Sequence, residues 1–204
     1  MASGGEAEAQ GQGAQDRSLA RLGRLPATTV SDAMERTGSM DSGIRPAWPG
    51  ARLCGRALTV LTRPGDNLAI HQALEVAKQD DVLVVNGGGD LSRALVGEIV
   101  AAKAQSLGVA GFVVDGVVRD GEGIERLGLP IFARGLNPAG PYRTGPGRVQ
   151  VPIAIGGIVV NPGDLVVADA DGVVVVPAGQ AEAVIGRAEE LFAAELEQMQ
   201  KDRA

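Results

Sequence analysis

The chain has 204 residues and a formal net charge of −6, with 30 glycines and 11 prolines but only one histidine, one cysteine and five aromatic side chains (Trp48, Phe112, Phe132, Tyr142 and Phe192). These counts exclude an intrachain disulfide, a zinc site of four cysteines or of two cysteines with two histidines, and an HExxH protease helix. The acidic balance argues against a general nucleic-acid binder, and so few aromatics leave no stacking platform for single strands.

Hydrophobic residues make up 45% of the chain and charged residues 22%, enough for one packed domain at this length. Residues 1–16 have no basic start followed by an apolar stretch, so they do not read as a secretory signal. They read as a disordered N-terminal tail ahead of a single domain over 17–204. No stretch reaches the roughly 18 apolar residues of a membrane span, and an unpaired Cys54 in an apolar strand fits a reducing cytoplasm.

Along the chain, Ser31 to Arg36 reads as a short helical stretch ended by Gly38, with Thr28, Thr29 and Ser31 as N-cap candidates. An irregular loop covers Asp41 to Pro49. Arg52 to Thr62 reads as a strand, stopped by the turn Pro64-Gly65-Asp66-Asn67. Leu68 to Gln79 has helical spacing, with Ala69, Ile70, Ala73, Leu74, Val76 and Ala77 recurring on one side. Asp81 to Asn86 and Gly111 to Asp115 are apolar runs of strand length, joined by a glycine-rich loop and a helix over Gly87 to Leu107. That pattern is a parallel βαβ unit buried on both faces. A helical stretch, Gly123 to Leu127, and a strand, Pro130 to Ala133, follow. From Val149 to Pro177, short strands and tight turns suggest antiparallel or barrel-like structure. A helix from about Gln180 to Gln200 closes the chain, with Val184, Ala188, Leu191, Phe192 and Leu196 as its apolar stripe.

Two stretches carry candidate chemistry. In Gly87-Gly88-Gly89-Asp90 through Gly97-Glu98-Ile99-Val100, a helix starts either at Asp90 or near Gly97, because an interior glycine costs about 1 kcal/mol against alanine. A start at Gly97 frees the first amides, those of Glu98, Ile99 and Val100, for an anion such as a carboxylate. The alternative is a structural turn with Gly97 packed on a neighbouring strand. The second stretch, Val114 to Asp120, follows the carboxyl end of a parallel strand, where open α/β sheets place ligands. There Arg119 offers a cation for a carboxylate or enolate, and Asp120 a hard oxygen for Mg²⁺ or Mn²⁺. The alternative is a helix-start aspartate beside a surface arginine. His71 reads as a solvated helix residue, and Asp169 and Asp171 as turn residues.

Taken together, Gly87 to Asp90 with Ala94, Gly97 and Glu98, then Gly111 to Asp120, Leu127 to Gly135, and the block from Val151-Pro152 through Asp171-Gly172-Val173 resemble the RraA-like family over about Leu25 to Pro177. That family includes metal-dependent 4-hydroxy-4-methyl-2-oxoglutarate and 4-carboxy-4-hydroxy-2-oxoadipate aldolases that also decarboxylate oxaloacetate, and a protein inhibitor of ribonuclease E. The resemblance implies an α/β fold, a swivelling β/β/α domain with central βαβ units and a β-rich C-terminal half, assembled as a homotrimer or homohexamer with its site between subunits. It implies that Arg119 contacts the keto oxygen of a small 2-oxo acid and that Asp120 binds the metal, Mg²⁺ or Mn²⁺. The backbone of Gly97, Glu98, Ile99 and Val100 would hold the carboxylate, and Glu98 would lie near metal-bound water. Asp32 and Glu195 would be contributed by a neighbouring subunit. Neither nucleic acid nor membrane is an expected partner, and a ribonuclease is one only for the inhibitor branch. The intact Asp120 and Glu98 favour the lyase branch.

Overall fold

The computed structural model describes residues 17–203; the proposed tail over 1–16 lies outside them. Residues 17–22 form helix α1, and α2 (Ala27–Ala33) follows it. After a two-residue strand β1 (Arg45–Pro46) the apolar runs become strands joined by helices. They are β2 (Leu53–Thr62), α3 (Leu68–Val76), β3 (Asp81–Val96), α4 (Glu98–Ser106), β4 (Gly111–Val118), α5 (Gly121–Leu127) and β5 (Ile131–Leu136). The second half adds β6 (Gly147–Val149), a β7–β8 hairpin (Ile153–Ile155 and Ile158–Val160), β9 (Leu165–Asp169), β10 (Gly172–Val176) and α6 (Ala181–Lys201).

The main sheet has the order β1-β5-β4-β3-β2-β9-β10, with β6 also on β2. Strands β2 to β5 are parallel, as fully buried apolar runs joined by helices require. Strand β9 pairs antiparallel with β2, and β10 with β9, so the β-rich half extends the sheet rather than closing a barrel. This corrects the barrel-like expectation: the short strands find an open edge already built by the βαβ units.

Alternation along the strands divides the core by face. Leu58, Val60, Leu83, Val85, Phe112 and Val114 pack under α3, α4 and α5. Ala57, Val82, Val84, Val113 and Phe132 pack against the Met40–Ala51 segment and the β7–β8 hairpin. A third cluster seats α1, α2 and α6 on β9 and β10, through Leu22, Val30, Ile185, Val167 and Val174.

Two boundaries differ from the sequence expectation for stated reasons. Helix α2 begins after Pro26, and none of Thr28, Thr29 or Ser31 caps it. Its first amide, Ala27 N–H, donates instead to Asp169 Oδ2 at 2.9 Å, a carboxylate 142 residues away. The helix ends early, since Glu35 and Arg36 take positive φ of 55° and 65°. The triple glycine is not a loop: β3 runs on to Val96, its pairing with β4 interrupted by register shifts between Asn86 and Asp90 and again at Ala94. Gly88 and Gly89 sit at φ 71° and 70°, values open to glycine at no steric cost, and they allow the strand to bulge without ending.

Candidate active site

At the carboxyl ends of β3 and β4 the chain turns into α4 and α5, and the candidate residues meet there. Gly97 is the N-cap of α4, in extended conformation, and its carbonyl accepts the first helical bond from Ala101 N–H at 3.0 Å. Of the two helix starts left open by the sequence, the later one is realised. Gly97 is required for closeness: a Cβ there would lie 2.5 Å from Asp120 Oδ2 and 3.0 Å from Arg119 Cγ and Nε.

Asp120 is the N-cap of α5 and holds φ 60°, ψ 42°. A non-glycine residue in the left-handed region is uncommon and concentrates at functional sites. The Asp120 carboxylate accepts the Glu98 N–H through Oδ2 at 3.1 Å, so the first amide of α4 is occupied, and the anion site expected from Glu98, Ile99 and Val100 reduces to the latter two. Arg119 Nε stands 3.6 Å from the same oxygen, and the two side chains remain 39% and 44% exposed. The pair is adjacent without being closed off. The Glu98 carboxylate lies against Gly123 of α5, where a Cβ would come within 2.1 Å of its Oε2.

A pocket of ≈ 300 Å³ opens here, lined by Gly97, Ile99, Val100, Arg119 and Asp120 together with Asn67, His71, Leu95, Gly140, Pro141 and Arg143. Its far wall was not foreseen. The N-cap and first turn of α3 bring Asn67 and His71, and the 140–143 loop brings Gly140 and Arg143. Gly140 permits the close approach of Arg119, whose Nη1 would be 2.9 Å from a Cβ at that position. His71 is therefore corrected from a solvated helix residue to a pocket residue whose Nε2 is buried. Burial, then the cations Arg143 and Lys103, push its pKa below the usual histidine range. Helical spacing did put His71 on the polar side of α3; what covers that side is a loop some seventy residues later.

The loop is pinned by Asp66. Its side chain is wholly buried and accepts N–H bonds from Leu68, Thr144 and Gly145 at 2.9, 2.8 and 2.9 Å. Burial alone would raise its pKa, but these amides and the Thr144 hydroxyl outweigh it and hold the carboxylate below its ordinary range. A larger hollow of ≈ 390 Å³, lined by Ser31, Asp32, Arg36 and Asp171 among others, lies beside α2. Asp32 pairs there with Arg36 at 3.0 Å, and Glu195 accepts from Thr29 Oγ1 at 3.3 Å. Neither reaches the Arg119–Asp120 pocket of its own chain.

Among the described residues no three His, Cys, Asp or Glu side chains converge on a metal position. The carboxylate that lines the pocket is Asp120, while Glu98, bonded to it through its N–H, turns its own carboxylate toward Gly123. This donor set fits a hard cation such as Mg²⁺, which keeps several waters and needs one or two protein carboxylates; it does not fit a metal that needs a full protein cage.

The family model described as Aldolase/RraA matches residues 27–175. The chain belongs to this RraA-like family. A relative from Halalkalibacterium halodurans, named "Putative 4-hydroxy-4-methyl-2-oxoglutarate aldolase", is 44% identical over 164 residues, which cover 80% of this chain and 78% of the relative. Among solved structures, an uncharacterized protein of Pseudomonas syringae pv. tomato str. DC3000 superposes with TM-score 0.81 at 32% identity, over 88% of this chain and 85% of that one. The RNA-processing inhibitor RraA from Thermus thermophilis does so with TM-score 0.69 at 33% identity, over 74% and 92%. The α/β fold expected from the resemblance is thus the fold of this RraA-like chain, and the name of the Halalkalibacterium relative supports a lyase-type enzyme.

Proposed function

We propose that this protein is a divalent-metal-dependent carbon–carbon lyase. It cleaves 4-hydroxy-4-methyl-2-oxoglutarate or a related 4-hydroxy-2-oxo acid to pyruvate, and it decarboxylates oxaloacetate. The observation that carries the reading is the Arg119–Asp120 pair, half-exposed and unsaturated at the start of α5 and beside the start of α4, inside a pocket with a second arginine.

In this reading the substrate carboxylate sits on the free amides of Ile99 and Val100, where the helix start favours negative charge. The Arg119 guanidinium donates to the keto oxygen and stabilises the negative charge that develops there as the bond to C4 breaks. Asp120, with Glu98 beside it, would hold Mg²⁺ or Mn²⁺, which supplies Lewis-acid polarisation of the ketone when bound. A water near Glu98, or a carboxylate from a neighbouring subunit, would take the proton of the substrate hydroxyl. Arg143 adds positive charge at the far wall for a further carboxylate of the substrate. Oxaloacetate loses carbon dioxide to the same enolate, so one pocket serves both reactions.

The assembly belongs to the proposal. Ile99 is 83% exposed, and Leu91 and Leu136 are more than half exposed, at the same end of the sheet as the pocket. A homotrimer or homohexamer would cover them and bring a neighbour's Asp32 or Glu195 to the site. The unpaired Cys54, its thiol pushed up to about 12 by burial, suits a cytoplasmic protein. No helix among the described residues is long and apolar enough to cross a membrane.

The test is pyruvate release, coupled to lactate dehydrogenase, over a panel of 2-oxo acids with Mg²⁺, Mn²⁺ or EDTA. Turnover is expected to need the cation; full activity after chelation overturns the metal assignment. The likeness to an RNA-processing inhibitor, with the net charge of −6, supports a second reading: a protein that inhibits a ribonuclease E through its surface. A stable complex with that nuclease, alongside no lyase activity, would reverse the order.

A further inference from the structure

Asn67, the N-cap residue, and His71 stand four residues apart at the start of α3, on one side of the helix. Both line the pocket that holds Arg119 and Asp120. Asn67 is 2% exposed. Among the described residues, Asn67 Oδ1 and His71 Nε2 are the two buried side-chain polar atoms without a hydrogen-bond partner. Buried polar atoms are nearly always paired, so two orphans on residues that line one pocket leave one acceptor and one imidazole nitrogen for a partner there, an ordered water or a ligand group.

The way Asn67 is held strengthens the point. An asparagine at a helix N-cap ordinarily spends its side-chain oxygen on an amide of the first turn. Here no such bond forms to Ala69 or Ile70, and the Leu68 N–H goes to Asp66 Oδ1. The Asn67 amide nitrogen donates to the Leu95 carbonyl at 3.2 Å. With that nitrogen anchored, the oxygen is the end left for something else. It is an acceptor and needs a donor. A carboxylate has no proton to give it, and neither does a ketone. A hydroxyl does, and it also has lone pairs to accept from a neutral imidazole N–H. Burial, then the cations Arg143 and Lys103, push His71 below the usual histidine range and so favour the neutral ring.

We infer that Asn67 and His71 recognise the C4 hydroxyl of a 4-hydroxy-2-oxo acid as it binds: it donates to Asn67 Oδ1 and accepts from His71 Nε2–H, and its one proton turns from Asn67 to the water of the base only as the carbon–carbon bond breaks. The inference rests on the lyase reading above and deepens it. The head of the pocket, Arg119 and Asp120, serves any 2-oxo acid that yields the pyruvate enolate, whereas the wall formed by α3 selects those that carry a hydroxyl.

Two substrates that give the same enolate separate the roles: 4-hydroxy-4-methyl-2-oxoglutarate has the hydroxyl and oxaloacetate lacks it. With the full-length, Mg²⁺-loaded protein, Asn67→Leu and His71→Phe are expected to lower kcat/KM for the hydroxylated substrate on the order of 10- to 100-fold. Oxaloacetate decarboxylation should change by less than about threefold. His71→Gln, which keeps an N–H donor, should recover most of the loss. Equal losses on both substrates, or no loss on either, overturn the inference. A binding measurement makes the test independent of turnover. By calorimetry the wild type should hold 2,4-dihydroxyglutarate, which has no ketone to cleave, about tenfold tighter than 2-hydroxyglutarate, and His71→Phe should erase the difference. Equal wild-type affinities sink the hydroxyl assignment. A wild type that releases pyruvate from neither substrate sinks the lyase reading, and the binding ratio still decides this one.

Discussion

Strand β4 and the residues just after it carry two aspartate–arginine pairs, and they are built in opposite ways. Asp115 is buried and accepts from Arg134 Nε in a very short contact, while the two terminal nitrogens of Arg134 reach Asp41 at 3.1 and 2.9 Å. Every part of that guanidinium has a carboxylate partner. Five residues on, Arg119 and Asp120 stand 3.6 Å apart and substantially exposed, with the Asp120 backbone held in the left-handed region. The same two residue types thus serve as a closed clamp in one place and as an open pair in the other. A saturated pair holds structure, because breaking it strands a poorly solvated charge. An unsaturated one keeps its bonding capacity for a ligand.

The contrast can be broken from either side. Asp120→Ala should produce the largest change, reducing pyruvate release to background while costing no more than about 1–2 kcal/mol of stability, from the lost Glu98 N–H bond and the left-handed backbone position; urea denaturation beside the coupled assay measures both. A large loss of stability would show that Asp120 too is structural. Gly97→Ala comes next. Its Cβ would displace Asp120 Oδ2 from 2.5 Å, and an ångström-scale misplacement of the pair should cost on the order of 100-fold in kcat/KM, with the far-ultraviolet circular dichroism unchanged.

Asp115→Asn should show the reverse pattern. Denaturation should report a loss of about 1.5–3 kcal/mol from the charged hydrogen bond, and activity per folded molecule should be retained. The smallest effect sharpens the comparison with a third carboxylate, Asp66, which is closed off like Asp115 yet pins the loop of the open site. Its folded pKa lies below the ordinary 3.8, so its stabilisation is present above that value and is lost as pH falls through the folded pKa. Asp66→Asn should cost about 1–3 kcal/mol at pH 7 and flatten that acid limb of the stability–pH curve. It should also raise KM more than it lowers kcat, because the loop carrying Arg143 loosens.

Much of this was legible in local pattern. The continuous apolar runs of β3 and β4 announced parallel strands because only a sheet covered on both faces tolerates them. Gly97 announced a helix start because an interior glycine is costly. Arg119 and Asp120 stood out because they follow a strand end, and their grouping with the residues around Gly97 came from the family resemblance. What failed to show is equally specific. The triple glycine looked like a loop, yet it lies within β3, whose pairing with β4 resumes at Asp90 after a register shift. The cap of α2 was sought among Thr28, Thr29 and Ser31, yet Asp169 supplies it from across the chain.

Periodicity and composition by themselves determined the layered α/β plan, the exclusion of cysteine–histidine metal chemistry, and the short segments on which an arginine, a carboxylate and a helix start could act. Those properties depend on neighbours within a few residues. Only the tertiary structure decided that Asn67, His71 and Arg143 share a pocket with Arg119. It also decided which aspartate–arginine pair is closed and which is open. Both depend on the fold of the 140–146 loop over α3 and on the reach of Asp41 to Arg134, contacts between segments 70 or more residues apart, for which sequence spacing carries no record.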